Sequence, residues 1–346
     1  MADAPKRTIL VTGGAGFIGS NFVRFILKRV QDVRVVNLDA LTYSGNLANL
    51  SDVLSVPRHT FVKGSINDAH LIADLIDAHA VEGIINFAAE SHVDRSIDSP
   101  AIFVETNVAG TQALLAAAHE ARVSRFVQIS TDEVYGSLGP EGMFREDTPV
   151  QPNSPYSASK AAADHFVHAY RHTYGLNTIV TRCSNNYGPY QFPEKMIPLM
   201  IHNALTGKPL PVYGDGLHVR DWLYVADHCR AVWEVYEKGT AGNVYNIGGN
   251  NEHTNLDVVR TILRCLNKPE SLIQFVKDRP GHDRRYAIDA SRIRRDIGWE
   301  PSIDFETGIK RTVEWYCEHR EWLQTIVSGD YQKYYDRMYS GREMTA

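Results

Sequence analysis

From residue 8 to about residue 182, short β-branched apolar runs alternate with longer stretches of helical spacing. The strand-like runs occupy residues 8–12, 33–38, 60–62, 83–87, 125–130 and 177–181. Helical spacing fills 18–30, 69–79, 101–121 and 155–174. Strands that are apolar at successive rather than alternate positions must be covered on both faces, and the intervening helices provide that cover. Parallel strands joined by helices cross over right-handedly, so the economical fold is a doubly wound Rossmann-type α/β sheet. Ligands of such sheets lie beyond the carboxyl ends of the strands, and the chemistry is expected in the loops there.

After residue 182 the rhythm breaks. Segment 183–195, rich in Asn, Pro, Gly and Tyr, reads as a long loop. Short strands at 211–213, 243–247 and 273–276 then mix with helices near 196–206, 225–238, 255–266 and 305–319. The expected division is a dinucleotide domain with the catalytic residues over 1–185 and a smaller α/β substrate lobe over 186–346, with the chain free to cross back. At 43% hydrophobic and 22% charged residues the chain is an ordinary globular protein, neither disordered nor fibrous. Its net charge of −5 gives no support to a nucleic-acid partner. Four cysteines, Cys183, Cys229, Cys265 and Cys317, lie too far apart for paired zinc-ligand motifs and suit a reducing compartment, so no metal is expected. No run approaches the roughly 20 apolar residues of a membrane span, and Met1 to Arg7 lacks the apolar centre of a signal peptide. The expectation is a cytoplasmic enzyme without a membrane partner.

The first strand runs into Gly13-x-x-Gly16-x-x-Gly19 and then a helix. Glycines there permit a tight turn, close approach to a pyrophosphate and close helix–strand packing, and the helix N-terminus faces the phosphates. Asp39 ends the second strand 20 residues after Gly19, where a carboxylate binds ribose hydroxyls and repels a 2′-phosphate. NAD is favoured over NADP. Further on, the fifth strand ends in Thr131-Asp132-Glu133, and a helix opens at Ser154-Pro155-Tyr156 with Lys160 one turn beyond Tyr156. A phenol titrates near pH 10, and an adjacent ammonium is expected to depress that value until Tyr156 can accept a hydroxyl proton.

Gly-x-x-Gly-x-x-Gly with Tyr156-x-x-x-Lys160 resembles the extended short-chain dehydrogenase/reductase superfamily, and Thr131-Asp132-Glu133 resembles its dTDP-glucose 4,6-dehydratases. The strings at 88–97, 183–198, 213–222, 245–255 and 278–289 extend the resemblance over roughly residues 7 to 320. It implies that Phe17, Ile18, Leu41, Thr42, Ser65, Ile66, Ala88, Ala89, Ser91, Thr106 and Asn186 join the glycines, Asp39, Tyr156 and Lys160 around NAD. It also implies a sugar-nucleotide site of His92, Thr131, Asn185, Glu194, Lys195, Pro211, Tyr213, Arg220, Asn255, Asp278, Arg279 and His282. The implied reaction turns dTDP-glucose into dTDP-4-keto-6-deoxyglucose and water, with Tyr156 and Lys160 serving the C4 oxidation. Thr131 would hydrogen-bond the C4 oxygen, Asp132 would be the acid at C6 and Glu133 the base at C5. Elimination needs two carboxyls in opposite protonation states, but the residues alone leave their assignment open.

His92 and His282 read equally well as structural histidines. The alanine-rich helices 101–121 and 155–174 could meet a second subunit or the chain's own core, and the resemblance implies a homodimer through them. Ser65, where the family often has aspartate, and Ala40, where lysine is frequent, depart from the pattern at the adenosine end. The same dehydration on UDP-glucose or another nucleotide sugar, and a catalytically silent NAD-binding regulator, are the competing readings.

Overall fold

The computed structural model describes residues 5–278 and 282–327. Its strands are β1 (Arg7–Thr12), β2 (Val33–Asp39), β3 (His59–Lys63), β4 (Gly83–Asn86), β5 (Arg125–Thr131), β6 (Thr178–Cys183), β7 (Asn185–Tyr187), β8 (Leu210–Tyr213), β9 (Val219–Tyr224), β10 (Val244–Ile247), β11 (Glu252–Thr254) and β12 (Ile273–Val276). Seven of them form one parallel sheet in the order β10-β6-β5-β4-β1-β2-β3. The order reverses between β1 and β4, the point at which a doubly wound sheet opens a crevice.

Successive residues of β1 and β2 serve opposite faces, as the pleat requires. Ile9, Val11, Val33 and Val35 pack with Phe22, Val23 and Ile26 of the helix Phe17–Arg29 and with Val232 and Val235 of the helix Val225–Lys238. Leu10, Val36 and Leu38 pack on the other side with Ile72, Leu75, Leu114, Leu115 and Val167, from helices Ala69–Ala78, Thr111–Glu120 and Pro155–Tyr174. A third apolar cluster, around Tyr187, Ile201, Ile262, Phe305 and Tyr316, is the core of the smaller lobe.

The helix that carries Tyr156 starts as its sequence predicts. Ser154 Oγ accepts from Ser157 N at 3.1 Å, Ser157 Oγ accepts from Ser154 N at 3.0 Å, and Pro155 holds the first turn.

Three features refine the sequence reading. Segment 183–195 is not all loop, because Asn185–Tyr187 pairs in parallel with β9 in a sheet ordered β11-β9-β7. That partner lies more than thirty residues onward, beyond any local signal. Beyond residue 186 the chain crosses back to the large sheet: β10 pairs with β6, and Val225–Lys238 packs beside Phe17–Arg29. Finally, the helical stretch 101–121 is regular only at Pro100–Phe103 and Thr111–Glu120, with a π-helical segment, Val104–Gly110, between them. Pro100–Glu120 is also long and apolar enough, by length and composition, to cross a membrane (mean hydropathy 1.2), which the sequence reading did not anticipate. In the fold it packs beside Pro155–Tyr174, with 39% of its apolar window buried.

Candidate active site

A cavity of about 320 Å³ opens over the carboxyl ends of β1, β2, β4 and β5. The glycine turn forms its floor. Gly13 has φ +70°, and a Cβ there would stand 2.6 Å from Ala88 N; one on Gly19 would stand 2.2 Å from Gly13 O. Backbone meets backbone at both points, so only glycine fits. The helix that follows is capped by Gly16 without a side-chain hydrogen bond, which leaves first-turn N–H groups for an anion. Asp39, at the end of β2, takes Ala15 N on Oδ2 and Leu41 N on Oδ1, each at 2.8 Å. Burial raises its pKa and those two amides pull it back.

Phe17, Ile18, Thr42, Ser65, Ile66, Ala88, Ala89, Ser91, Thr106, Tyr156, Lys160 and Asn186 all line this cavity, as do Gly16 and Asp39. Leu41 does not: at φ +52° its N–H supports Asp39 instead of forming a wall. Ser65 also turns its oxygen inward to its own loop, accepting from Asn67 N at 3.1 Å.

At the far end, Thr131 caps a short turn by accepting Glu133 N at 3.2 Å, which fixes Asp132 and Glu133 side by side. Their surroundings differ. Asp132 is 2% exposed, and its carboxyl is pushed well above the usual range by burial first, then by the charges of Glu133 and Asp221. Glu133 is half-buried and borders a second cavity as well as the first.

The expected activation of Tyr156 by Lys160 is not what the structure shows. Lys160 Nζ donates to Ile129 O at 2.7 Å, and burial lowers the ammonium's pKa. The Tyr156 phenol is held well above its ordinary value by burial, then by the Glu133 charge. A buried phenol beside a carboxylate stays protonated until positive charge arrives at the site.

The second cavity, about 160 Å³, meets the first at Glu133, Asn185, Glu194 and Lys195. His92, Pro211, Tyr213, Arg220, Asn255 and His282 line it, as the sequence reading proposed. His92 is structural as well, since its Nδ1 accepts Arg95 N at 3.4 Å and caps the helix Val93–Asp98. Arg220 is anchored by Asp283 O at 2.8 Å and lies over the Tyr286 ring. Asp278 is not part of the lining. Its Oδ1 is 2.6 Å from His282 Nδ1 and its Oδ2 is 3.2 Å from His218 Nε2, with the two imidazoles stacked at 3.8 Å and 14°. An imidazole binds a metal in its own plane; two nearly parallel rings cannot aim at one ion, so this trio is a carboxylate-bridged stack. Arg279 lies outside the described residues.

The first cavity suits a dinucleotide. Its glycine cradle would be filled by any Cβ, and its inner end holds a surplus of polar atoms. Ser130 Oγ, Asp132 Oδ2, Asn185 Oδ1 and Asn186 Oδ1 are buried without a hydrogen-bond partner among the described residues. Buried polar atoms are normally paired, so these point to a polar ligand.

Comparison with known proteins agrees with this geometry. Residues 10–312 match the family model described as GDP-mannose 4,6 dehydratase. The dTDP-glucose 4,6-dehydratase of Xanthomonas campestris pv. campestris (strain B100) is 54% identical over 343 residues, covering 94% of this chain and 97% of that protein. The chain belongs to the dTDP-glucose 4,6-dehydratase family. Among solved structures of this family, the Bacillus anthracis enzyme in complex with NAD superposes with a TM-score of 0.88 at 53% identity, covering 92% of this chain and 99% of that one. The Streptomyces venezuelae enzyme with NAD and TYD bound gives 0.90 at 50% identity, again covering 92% and 99%.

Family resemblance guided the reading to most lining residues, but it passed over those that hold them. Asn107 is one, turned inward by the π-helical segment: its Oδ1 accepts Glu90 N at 2.8 Å, and its Nδ2 donates to Glu90 O and Ser159 Oγ. Glu90, Gln191 and Cys183 line the first cavity unpredicted. Burial pushes the Cys183 thiol up to about 12, so it stays a thiol. A π-helical turn leaves no obvious mark in composition, and only the fold exposed these residues.

Proposed function

We propose that this chain is an NAD-dependent hydro-lyase that converts dTDP-glucose to dTDP-4-keto-6-deoxyglucose and water. One observation carries the reading: of two adjacent carboxyls, Asp132 is buried in the wall of the dinucleotide cavity, while half-buried Glu133 borders both that cavity and the second. The glycine turn, Asp39 and Asn186 would hold NAD, which when bound supplies a hydride acceptor for C4 and returns that hydride to C6.

The side chains account for the protons. Positive charge at the occupied site would lower the raised pKa of the phenol until it gives its own proton to solvent, and the Tyr156 phenolate would then accept the C4 hydroxyl proton. Thr131, beside the phenol, hydrogen-bonds the same oxygen. The C4 ketone acidifies C5–H, and Glu133 removes that proton. Burial and two neighbouring carboxylates oppose ionisation of Asp132, which suits it as the acid that delivers a proton to the C6 hydroxyl, which leaves as water. Arg220, with Lys195 and Asn255, would meet the diphosphate and deoxyribose, and Tyr213 on β8 the base.

The test is a panel of dTDP-, UDP-, CDP- and GDP-hexoses supplied without added NAD. Keto-deoxy product from dTDP-glucose alone is expected; product from another nucleotide at equal efficiency would overturn the substrate assignment. A second copy of the chain is proposed to cover the outer face of the helices 93–120 and 155–174, where Ile97, Ile102, Val104 and Phe166 are exposed. Val104→Glu should then shift the sedimenting species toward monomer. A cytoplasmic location is proposed as well, supported by four cysteines that remain unpaired.

A further inference from the structure

Glu194 lines both cavities, and its side chain is only 2% exposed. Arg95, its ion partner, lines neither cavity. Arg95 Nε donates to Glu194 Oε2 at 3.0 Å, and the guanidinium carbon lies over the Tyr43 ring, 3.8 Å from its centroid. Tyr43 belongs to the loop after β2, whose Thr42, Ser44 and Gly45 line the dinucleotide cavity. The Tyr43 hydroxyl is itself buried, and the charges of Glu194 and Glu90 reach it. One guanidinium thus joins the loop at the adenosine end to the carboxylate on the sugar side.

We propose that Arg95 is a positioning residue that couples retention of the dinucleotide to binding of the sugar nucleotide, an inference that rests on the function proposed above. Its edge and its face do different jobs. The edge aims Glu194 at the place where the cavities meet and, with the larger charge effect of Lys195 and a hydrogen bond from Tyr43, opposes the burial that raises that carboxyl's pKa. The face holds Tyr43, and with it the loop that closes on the dinucleotide. Lysine offers a point charge without a flat face, so it can replace the first job and not the second.

The experiment compares Arg95→Met and Arg95→Lys with the wild type. Three quantities are read: KM and kcat for dTDP-glucose, affinity for dTDP by calorimetry, and NAD retained after gel filtration. Assayed with saturating NAD, Arg95→Met should raise KM about tenfold and leave kcat within about threefold; after gel filtration without added NAD it should have lost its NAD. Arg95→Lys should recover most of the KM and none of the NAD retention. Adding Glu194→Gln to Arg95→Met should restore melting temperature, because the unpaired buried charge is gone, without restoring KM. A melting temperature that falls while KM and NAD content stay at wild-type values shows a merely structural residue and overturns the proposal. So does equal recovery of both readouts by lysine. If the wild type itself makes no keto-deoxy product, the functional reading fails, while dTDP affinity and NAD retention in the variants still decide the coupling.

Discussion

The dinucleotide cavity takes its floor and walls from turns that directly follow β1, β2, β4 and β5, and much of what it offers is backbone: the Gly13–Gly19 turn, the uncapped helix start, and amides that steady Asp39. The nucleotide cavity is walled by side chains brought from positions as distant as His92, Lys195, Arg220, Asn255 and His282. Backbone sites depend on a few positions where no Cβ can exist, and they fail abruptly. Side-chain sites share their contacts among many groups and weaken by degrees. Asp132 and Glu133 follow β5 at the inner end of the first cavity, and Glu133 borders both.

The largest effects are expected at that inner end. Tyr156→Phe should reduce turnover by about 10²–10⁴, and Glu133→Gln should do the same while still accumulating reduced dinucleotide, visible in its absorbance. If Glu133→Gln released product at the normal rate, the base would have to be another group. Next comes the backbone cavity. Gly19→Ala places a Cβ against Gly13 O and should cost about 1–3 kcal/mol of stability together with most of the bound NAD, read by melting and by cofactor content. Tyr213→Ala, on the side-chain cavity, should weaken dTDP binding about tenfold and leave NAD content intact. Equal NAD loss in both variants would erase the distinction between the two regions.

The smallest effect is a pH signature. The folded-state pKa of Asp132 is raised, so the native state binds a proton that the unfolded state gives up above about pH 4. Native stability from this group is complete below that pH and declines as pH rises toward the folded value. Asp132→Asn should therefore melt about 2 °C higher than the wild type at pH 8, a gain that vanishes near pH 4. A pH-independent difference would mean that Asp132 is ionised in the native state and cannot be the acid.

Several parts of this picture were legible before the fold was seen. The period of the apolar runs selects a parallel sheet, Ser154-Pro155 marks a helix start, and the glycine spacing marks a phosphate turn, each within a few residues of sequence. Family resemblance then assigned the lining residues, and the cavities contain nearly all of those described. Leu41 and Asp278 lie outside the two linings, and a supporting residue and a wall residue look alike in a motif. For Tyr156 and Lys160, spacing puts the two on one helix face, and only the fold shows that the ammonium donates to the Ile129 carbonyl. Arg95, Tyr43 and Asn107 were missed because their partners are remote in the chain or lie across a π-helical turn.

By itself the sequence determined which elements form and which backbone positions must be glycine, since pleat, helical period and a missing Cβ act over a few bonds. Tertiary structure alone decided which carboxyl is the more deeply buried, where the ammonium of Lys160 goes, and that one guanidinium pairs with Glu194 while lying over Tyr43. Dielectric and charge at a buried atom are set by whatever packs around it, and that neighbourhood is gathered from the whole chain.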